Sequence, residues 1–338
     1  RPTPRHCNFN PPNHARIAAM PHPKAFALIG PTASGKTALA LHLARRFPCE
    51  IISMDSALVY RGMDIGTAKP SADELTAVPH HLINIISPLQ NYSAADFVAD
   101  CIRLVNEIHA RGRLPVIAGG TMMYFHALVQ GLDALPEADA GIRAQLQQDK
   151  AAHGLPFLYN RLQQCDAESA ARIKPNDSQR IERALEIFLL TGQPMSALTR
   201  ARQPAPLDVF TFALLPHDRS LLHSRINARF ETMLAQGFLD EVQLLRRTYP
   251  QLQPEMPSMR CVGYRQAWAH LDGATDRAEF TAQGQAATRQ LAKRQLTWLR
   301  KLPADAAYDP FVSGCLEVRN TKTASARPCG KRQCTCRP

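Results

Sequence analysis

The sequence predicts an α/β fold, a parallel sheet flanked by helices and interrupted by an inserted all-helical domain. Three observations carry this reading: short apolar runs alternate with helix-periodic stretches in the first third of the chain, residues 136–200 show helical periodicity and no convincing strand, and strand patterning resumes at Val209–Leu215. The 338 residues suffice for about two domains. A composition 45% hydrophobic and 20% charged is that of a globular chain. No apolar run approaches the roughly 18 residues of a membrane helix, which excludes helical membrane integration.

Phe26-Ala27-Leu28-Ile29 reads as a buried strand that runs into Gly30 and a Gly/Ser/Thr-rich turn. From Lys36, the residues Leu39, Leu41, Leu43, Ala44 and Phe47 mark a helix stopped by Pro48, and Glu50–Met54 is the next strand, which completes a βαβ unit. Ser93 and Asp96 form a capping box ahead of Phe97, Cys101, Leu104, Val105 and Ile108, and a strand, Leu114–Ala118, follows Gly112. Within the insertion the clearest helix is Ser178–Leu190, with Ile181, Leu185, Phe188 and Leu189 on its apolar side and Thr191-Gly192-Gln193-Pro194 as its stop. After Val209–Leu215 come helical segments over Arg219–Arg247 and Phe280–Arg300, separated by Pro250, Pro254 and Pro257. The expected division is a core of residues 23–135 and 201–318, a helical insertion at 136–200, and disordered ends at 1–22 and 319–338.

The ends are Pro-rich (Pro2, Pro4, Pro11, Pro12, Pro21) or basic and low in apolar residues. Met20 reads as the natural start, since the head lacks the apolar block of a secretory signal. The net charge of +11 suggests an acidic partner, yet nine cations with no acid among them sit in the ends: Arg1, Arg5 and Arg16, then Arg319, Lys322, Arg327, Lys331, Arg332 and Arg337. Nine cysteines, an odd number without a signal segment, point to reduced thiols and a cytoplasmic setting. Cys329, Cys334 and Cys336 supply three sulfurs and no neighbouring His, too few for a structural zinc site.

The strongest motif is Gly30-Pro31-Thr32-Ala33-Ser34-Gly35-Lys36-Thr37, a complete G-x-x-x-x-G-K-T between strand and helix and the mark of a P-loop NTPase-like sheet. Its backbone amides and the helix N-terminus make a nest for phosphate oxygens; Lys36 adds a point charge, and the Thr37 hydroxyl is a ligand for Mg²⁺. A nucleoside triphosphate site ordinarily completes its metal with an Asp at another strand end, but Leu114–Ala118 runs into Gly119-Gly120-Thr121. The acid instead is Asp55, directly after Ile51–Met54, placed to serve as a metal ligand, as a base toward a nucleophile, or as a turn residue.

The run Asp55-Ser56-Ala57-Leu58-Val59-Tyr60-Arg61-Gly62-Met63-Asp64-Ile65-Gly66-Thr67-Ala68-Lys69-Pro70 resembles the signature of the bacterial tRNA dimethylallyltransferase (isopentenyl-diphosphate:tRNA transferase) family. The resemblance continues through Tyr92–Phe97, Gly119–Tyr124, Asn176–Ala184, Arg260–Gln266 and Arg289–Gln295, and covers roughly residues 24–302 in unbroken order. It implies that the phosphate loop holds the diphosphate of dimethylallyl diphosphate, with Mg²⁺. The exocyclic amine of the adenosine immediately 3′ of the anticodon, in tRNAs reading codons that start with uridine, would then displace it. On this resemblance Asp55 matches the family's base, Lys36 acts on the leaving group, and Arg260 matches a diphosphate arginine. The tRNA anticodon stem-loop would meet Asp55, Ser56, Ala57, Leu58, Thr121, Arg143, Gln179, Arg180, Ile181, Glu182, Arg183, and the run Arg260, Cys261, Val262, Gly263, Tyr264, Arg265. The flipped base would sit against Asp55–Leu58. A basic stripe of Arg289, Lys293 and Arg300, with Leu296 and Leu299 toward the core, is a further RNA-facing element. The resemblance also implies a monomer without membrane attachment. The competing classes are a P-loop small-molecule kinase using ATP and an RNA-binding NTPase.

Overall fold

The computed structural model describes residues 24–131, 133, 135–199, 207–302, 304–312 and 316–317. The expectations for the two ends, and for Cys7, Cys315, Cys329, Cys334 and Cys336, lie outside the described residues. The chain forms two compact units: residues up to Phe125 together with those from Leu207, and His126–Pro206.

The first unit opens with β1 (Lys24–Ile29), α1 (Lys36–Ala44), β2 (Cys49–Met54), α2 (Ala72–Ala77), β3 (His80–His81), α3 (Ala94–Ala110) and β4 (Leu114–Gly119). Every residue of β2 is buried, as expected of a strand covered on both faces. Ser93 caps α3 with Asp96 in a reciprocal pair, and the helix buries Phe97, Val98, Cys101, Leu104, Val105 and Ile108 along one face. Then α4 (Met122–Gln130) leads into the second unit.

The second unit holds α5 (Ala140–His153), α6 (Leu155–Cys165), α7 (Ala167–Arg172), α8 (Ser178–Thr191) and α9 (Met195–Leu198), with no strand among its described residues. Its core joins Leu146, Leu158, Leu162, Ala170, Ile173, Ile181, Ala184 and Leu185. Buried Asp166 caps α7 and also accepts from the amide and hydroxyl of Ser196, which fastens α9.

The first unit resumes with β5 (Asp208–Leu214), α10 (Arg219–Ala235), α11 (Phe238–Thr248), α12 (Tyr264–Leu271), α13 (Arg277–Leu299), β6 (Ala306–Tyr308) and β7 (Leu316–Glu317). The helical stretch 219–247 is broken at Gly237, whose φ of 93° an L side chain disfavours. The sheet order is β3-β2-β4-β1-β5-β6-β7. All pairings are parallel except β6 with β7, so the expectation of a wholly parallel sheet holds for six strands and fails at the edge. Beside the sheet, Phe230, Phe238, Tyr264, Trp268 and Phe280 pack with Val59, Tyr60 and Met63 into a second core. No described helix is long and apolar enough to cross a membrane.

Candidate active site

The carboxyl ends of β1, β2 and β4 are neighbours, so the segments leaving them converge on one edge. The phosphate loop leaves β1, Asp55 leaves β2, and Gly120-Thr121 leaves β4. Thr32, Lys36 and Thr37 of the loop, Asp55 and Gly120 line one cavity of about 180 Å³ together with side chains from α10 and α13.

The loop is held from three sides. Lys36 Nζ donates to Pro31 O at 2.6 Å, Arg225 Nε donates to Ala33 O at 3.1 Å, and Thr32 N donates to Gln295 Oε1 at 2.9 Å. Ala33 sits in the left-handed region at φ 62°, a conformation that costs a non-glycine residue of order 1 kcal/mol. The Thr32 amide, expected to face phosphate, is committed to Gln295, and the Ser34 amide donates to Pro31 O at 3.3 Å, so the nest narrows to the amides of Ala33 and of Gly35 onward. The Lys36 ammonium is enclosed within the cavity. Desolvation lowers its pKa to about 7, partly offset by Asp55 and reinforced by Arg229.

Asp55 is half-buried, and its Oδ1 accepts from Ala57 N at 2.9 Å, which aims the carboxylate from a turn. Ser56 N donates to Thr121 Oγ1 at 3.0 Å, bringing two of the predicted residues together. Arg229 on α10 lines the same cavity and interacts electrostatically with Asp55, with burial lowering its pKa. Cys261 also lines it; desolvation, then Asp55, pushes its thiol up to about 12, so it is present as neutral SH. An apolar side is formed by Leu58, Ile226, Phe230, Met233, Val262 and Leu291. The cavity thus has a cationic end, one carboxylate and a hydrocarbon-lined side.

A half-buried clamp shapes the wall that Gly66, Thr67 and Ala68 give the cavity. Glu241 accepts from the amides of Asp64 (2.8 Å), Ile65 (2.6 Å) and Gly66 (3.2 Å) and from the Tyr264 hydroxyl (2.6 Å). A Cβ on Gly66 would stand 2.1 Å from the Phe238 ring, so only glycine permits this approach.

Several expected residues stand elsewhere. Arg260 is exposed and does not line the cavity; the arginine that does is Arg229, which the sequence hid as one of several cations on a helix. Of the run from Arg260 to Arg265 only Cys261 and Val262 reach the cavity; Arg265 is exposed and Gly263 is buried in the turn before α12. Tyr264 is 0% exposed and bound to Glu241, and Ile181 is 0% exposed in the second unit's core, so neither can touch RNA. In that unit, buried Glu186 receives Arg143 Nε at 2.8 Å and Arg183 Nη1 at 2.7 Å, while Glu182 is neutralised by Lys150 at 2.7 Å. Gln179 and Arg180 are exposed. On α13, Leu296 and Leu299 are buried and Lys293 and Arg300 exposed as expected, but Arg289 turns to Asn227, and Gln290, Arg294, Thr297 and Trp298 are exposed beside Lys293.

Among the described residues no three His, Cys, Asp or Glu side chains converge into a metal cluster. Thr37 and Asp55 supply two oxygen donors to the cavity, a sparse set that suits Mg²⁺ when phosphate oxygens and water complete its shell.

A family model described as IPP transferase matches residues 58–302. The tRNA dimethylallyltransferase of Neisseria meningitidis serogroup A is 64% identical over 87% of this chain and 95% of its own length, and that of Chromobacterium violaceum is 59% identical over 85% and 90%. Among solved structures, the full-length tRNA isopentenylpyrophosphate transferase of Bacillus halodurans is 37% identical with a TM-score of 0.62, covering 85% of this chain and 90% of that one. A eukaryotic dimethylallyltransferase acting on tRNA is 28% identical with a TM-score of 0.69, covering 82% and 69%. The chain belongs to the IPP transferase family.

Proposed function

We propose that the protein is a tRNA dimethylallyltransferase, moving the dimethylallyl group of dimethylallyl diphosphate to the exocyclic amine of the adenosine 3′ of the anticodon. One observation carries this reading over a kinase. The phosphate loop and Arg229 share their cavity with a hydrocarbon wall and a single carboxylate, a combination that suits a diphosphate joined to a short branched alkyl group. The curated relatives carry the prenyl transferase name, which favours the same choice.

In the proposed reaction the amine nitrogen forms a bond to the first carbon of the prenyl group as the bond from that carbon to the diphosphate oxygen breaks. The diphosphate leaves with the electron pair, and the amine proton passes to the Asp55 carboxylate. Adenine's amine is a weak nucleophile, so a carboxylate that accepts its proton lowers the barrier. Lys36, Arg229 and the loop amides stabilise charge that grows on the leaving group. Mg²⁺, when bound through Thr37, would supply further neutralisation of that charge. The neutral Cys261 thiol is a poor competitor for the prenyl carbon, because the thiolate is the nucleophilic form. The wall of residues 55–58 would receive the base after extrusion from the loop stack.

In this scheme Asp55→Ala loses roughly a hundred- to ten-thousand-fold in turnover with diphosphate affinity nearly kept. Steady-state kinetics together with calorimetric binding of dimethylallyl diphosphate measure the two separately. Collapsed diphosphate affinity with turnover intact at saturation would make Asp55 a metal ligand instead. We further assign the protein to the cytoplasm as a monomer.

A further inference from the structure

We infer that Gln295 is a positioning residue that fixes the diphosphate cradle against the strand end bearing the base. The inference rests on the reading just given, in which the loop holds diphosphate and Asp55 takes the proton.

Gln295 lies on α13 with 8% of its surface exposed, and both ends of its amide are used. Its Oε1 accepts from Thr32 N at 2.9 Å, and its Nε2 donates to Gly120 O at 2.8 Å. The partners dictate the amide's orientation, because a backbone N–H can only donate and a carbonyl can only accept. Thr32 belongs to the turn after β1 and Gly120 to the turn after β4, so one side chain bridges two strand ends. The link continues to β2: Thr121 N donates to Met54 O at 3.2 Å, and Ser56 N donates to Thr121 Oγ1 at 3.0 Å. Asp55 stands between Met54 and Ser56. A continuous chain of hydrogen bonds and covalent turns therefore connects the cradle to the carboxylate, with Gln295 as its only side chain supplied from outside the sheet edge.

Space at the bridge is fully taken. A Cβ on residue 120 would lie 2.5 Å from Gln295 Nε2, so glycine there is the counterpart of the amide's close approach. The helix carrying Gln295 is itself anchored by buried Ala292, Leu296 and Leu299. Binding alone does not require this arrangement, since it withdraws one amide from the phosphate nest. Its gain is geometric: in a displacement the entering nitrogen and the leaving oxygen must hold a fixed separation across carbon, and misplacement by about 1 Å costs on the order of 100-fold in rate. Gln295 is therefore assigned to distance, and not to proton transfer or charge.

Two variants test it in single-turnover assays with the full chain, Mg²⁺, an anticodon stem-loop and saturating dimethylallyl diphosphate. Q295M removes both hydrogen bonds at similar volume; its rate falls roughly 10- to 100-fold while the apparent Michaelis constant for the stem-loop holds. In Q295E a protonated carboxyl restores both contacts, its C=O accepting from Thr32 and its O–H donating to Gly120, whereas the ionised form sets a charge against the Gly120 carbonyl. Burial raises the pKa of such a carboxyl, so the ratio of Q295E to parental rate climbs as the pH is lowered from about 8 to about 6, while the Q295M ratio stays flat. The ratio cancels the titration of groups common to both proteins. A parental rate in Q295M, or a Q295E ratio independent of pH, overturns the inference; if Q295M does not fold, the Q295E ratio decides alone. Parental transfer is the control, and its absence would overturn the underlying reading together with the role given to Gln295.

Discussion

Lys36 is a phosphate-loop lysine whose charge depends on its ligand. With its pKa lowered to about 7 by desolvation and by Arg229, it is largely neutral in the free protein at pH 8. A bound diphosphate favours the protonated form, so ligand entry at pH 8 draws a proton from solution, and at pH 6 it does not. Calorimetric titration with inorganic diphosphate in buffers of different ionisation enthalpy measures this uptake, and Lys36→Arg abolishes it. Arg229 and Arg260 make a matched pair. Arg229→Ala weakens diphosphate binding and slows transfer, since leaving-group charge grows toward the transition state, whereas Arg260→Ala leaves diphosphate binding at the parental level. Calorimetry on both variants checks the assignment. At this scale the phosphate loop and Asp55 were legible in the sequence because motif spacing and strand ends define them. Arg229 and Gln295 were not: each is one polar residue on a long helix, aimed by packing that no local pattern records.

The ties between elements are carried by buried carboxylates. Glu50 of β2, its side chain 4% exposed, accepts from Arg111 at the end of α3 at 2.9 and 2.8 Å and lies 2.6 Å from His81 of β3. The Arg111 hydrogen bonds, more than the His81 contact, hold its carboxyl down to about 2, below its ordinary 4.5. A depressed carboxyl contributes stability that is fully present above about pH 4.5 and is lost as the pH falls toward 2. Glu50→Gln is thus less stable than the parent in urea at pH 7, and the gap between the two midpoints closes between pH 4.5 and 2; an equal gap at pH 7 and at the acid end would refute the assignment. Buried strands such as β2, with its apolar run Ile51-Ile52, and the capped helix α3 were readable from pattern. The two-residue strands β3 and β7 were not, since so short a segment has no periodicity and is defined by its neighbours. The break at Gly237 was missed because helical spacing continues on both sides of it.

For the molecule as a whole, the sequence announced a helical insertion by the absence of strand patterning, and the structure gives His126–Pro206 as a compact unit with its own core. What composition could not give was the standing of that unit's cations. Arg143 and Arg183 are bound to buried Glu186, so they are held in fixed orientation, while exposed Arg180 pairs with Asp177 at 3.4 Å. Overall charge misled in the same way, because nine cations reside in segments outside the described residues. Specific recognition of RNA needs contacts fixed in geometry, which net charge does not supply. Whether the phosphate loop serves prenyl transfer or phosphoryl transfer is tested by incubating the full chain with Mg²⁺, an anticodon stem-loop, and either dimethylallyl diphosphate labelled in its prenyl group or ATP labelled in its γ-phosphate. Label entering the RNA from the prenyl donor, with none moved from ATP to RNA or to a small molecule, is the predicted result; transfer from ATP alone would contradict it.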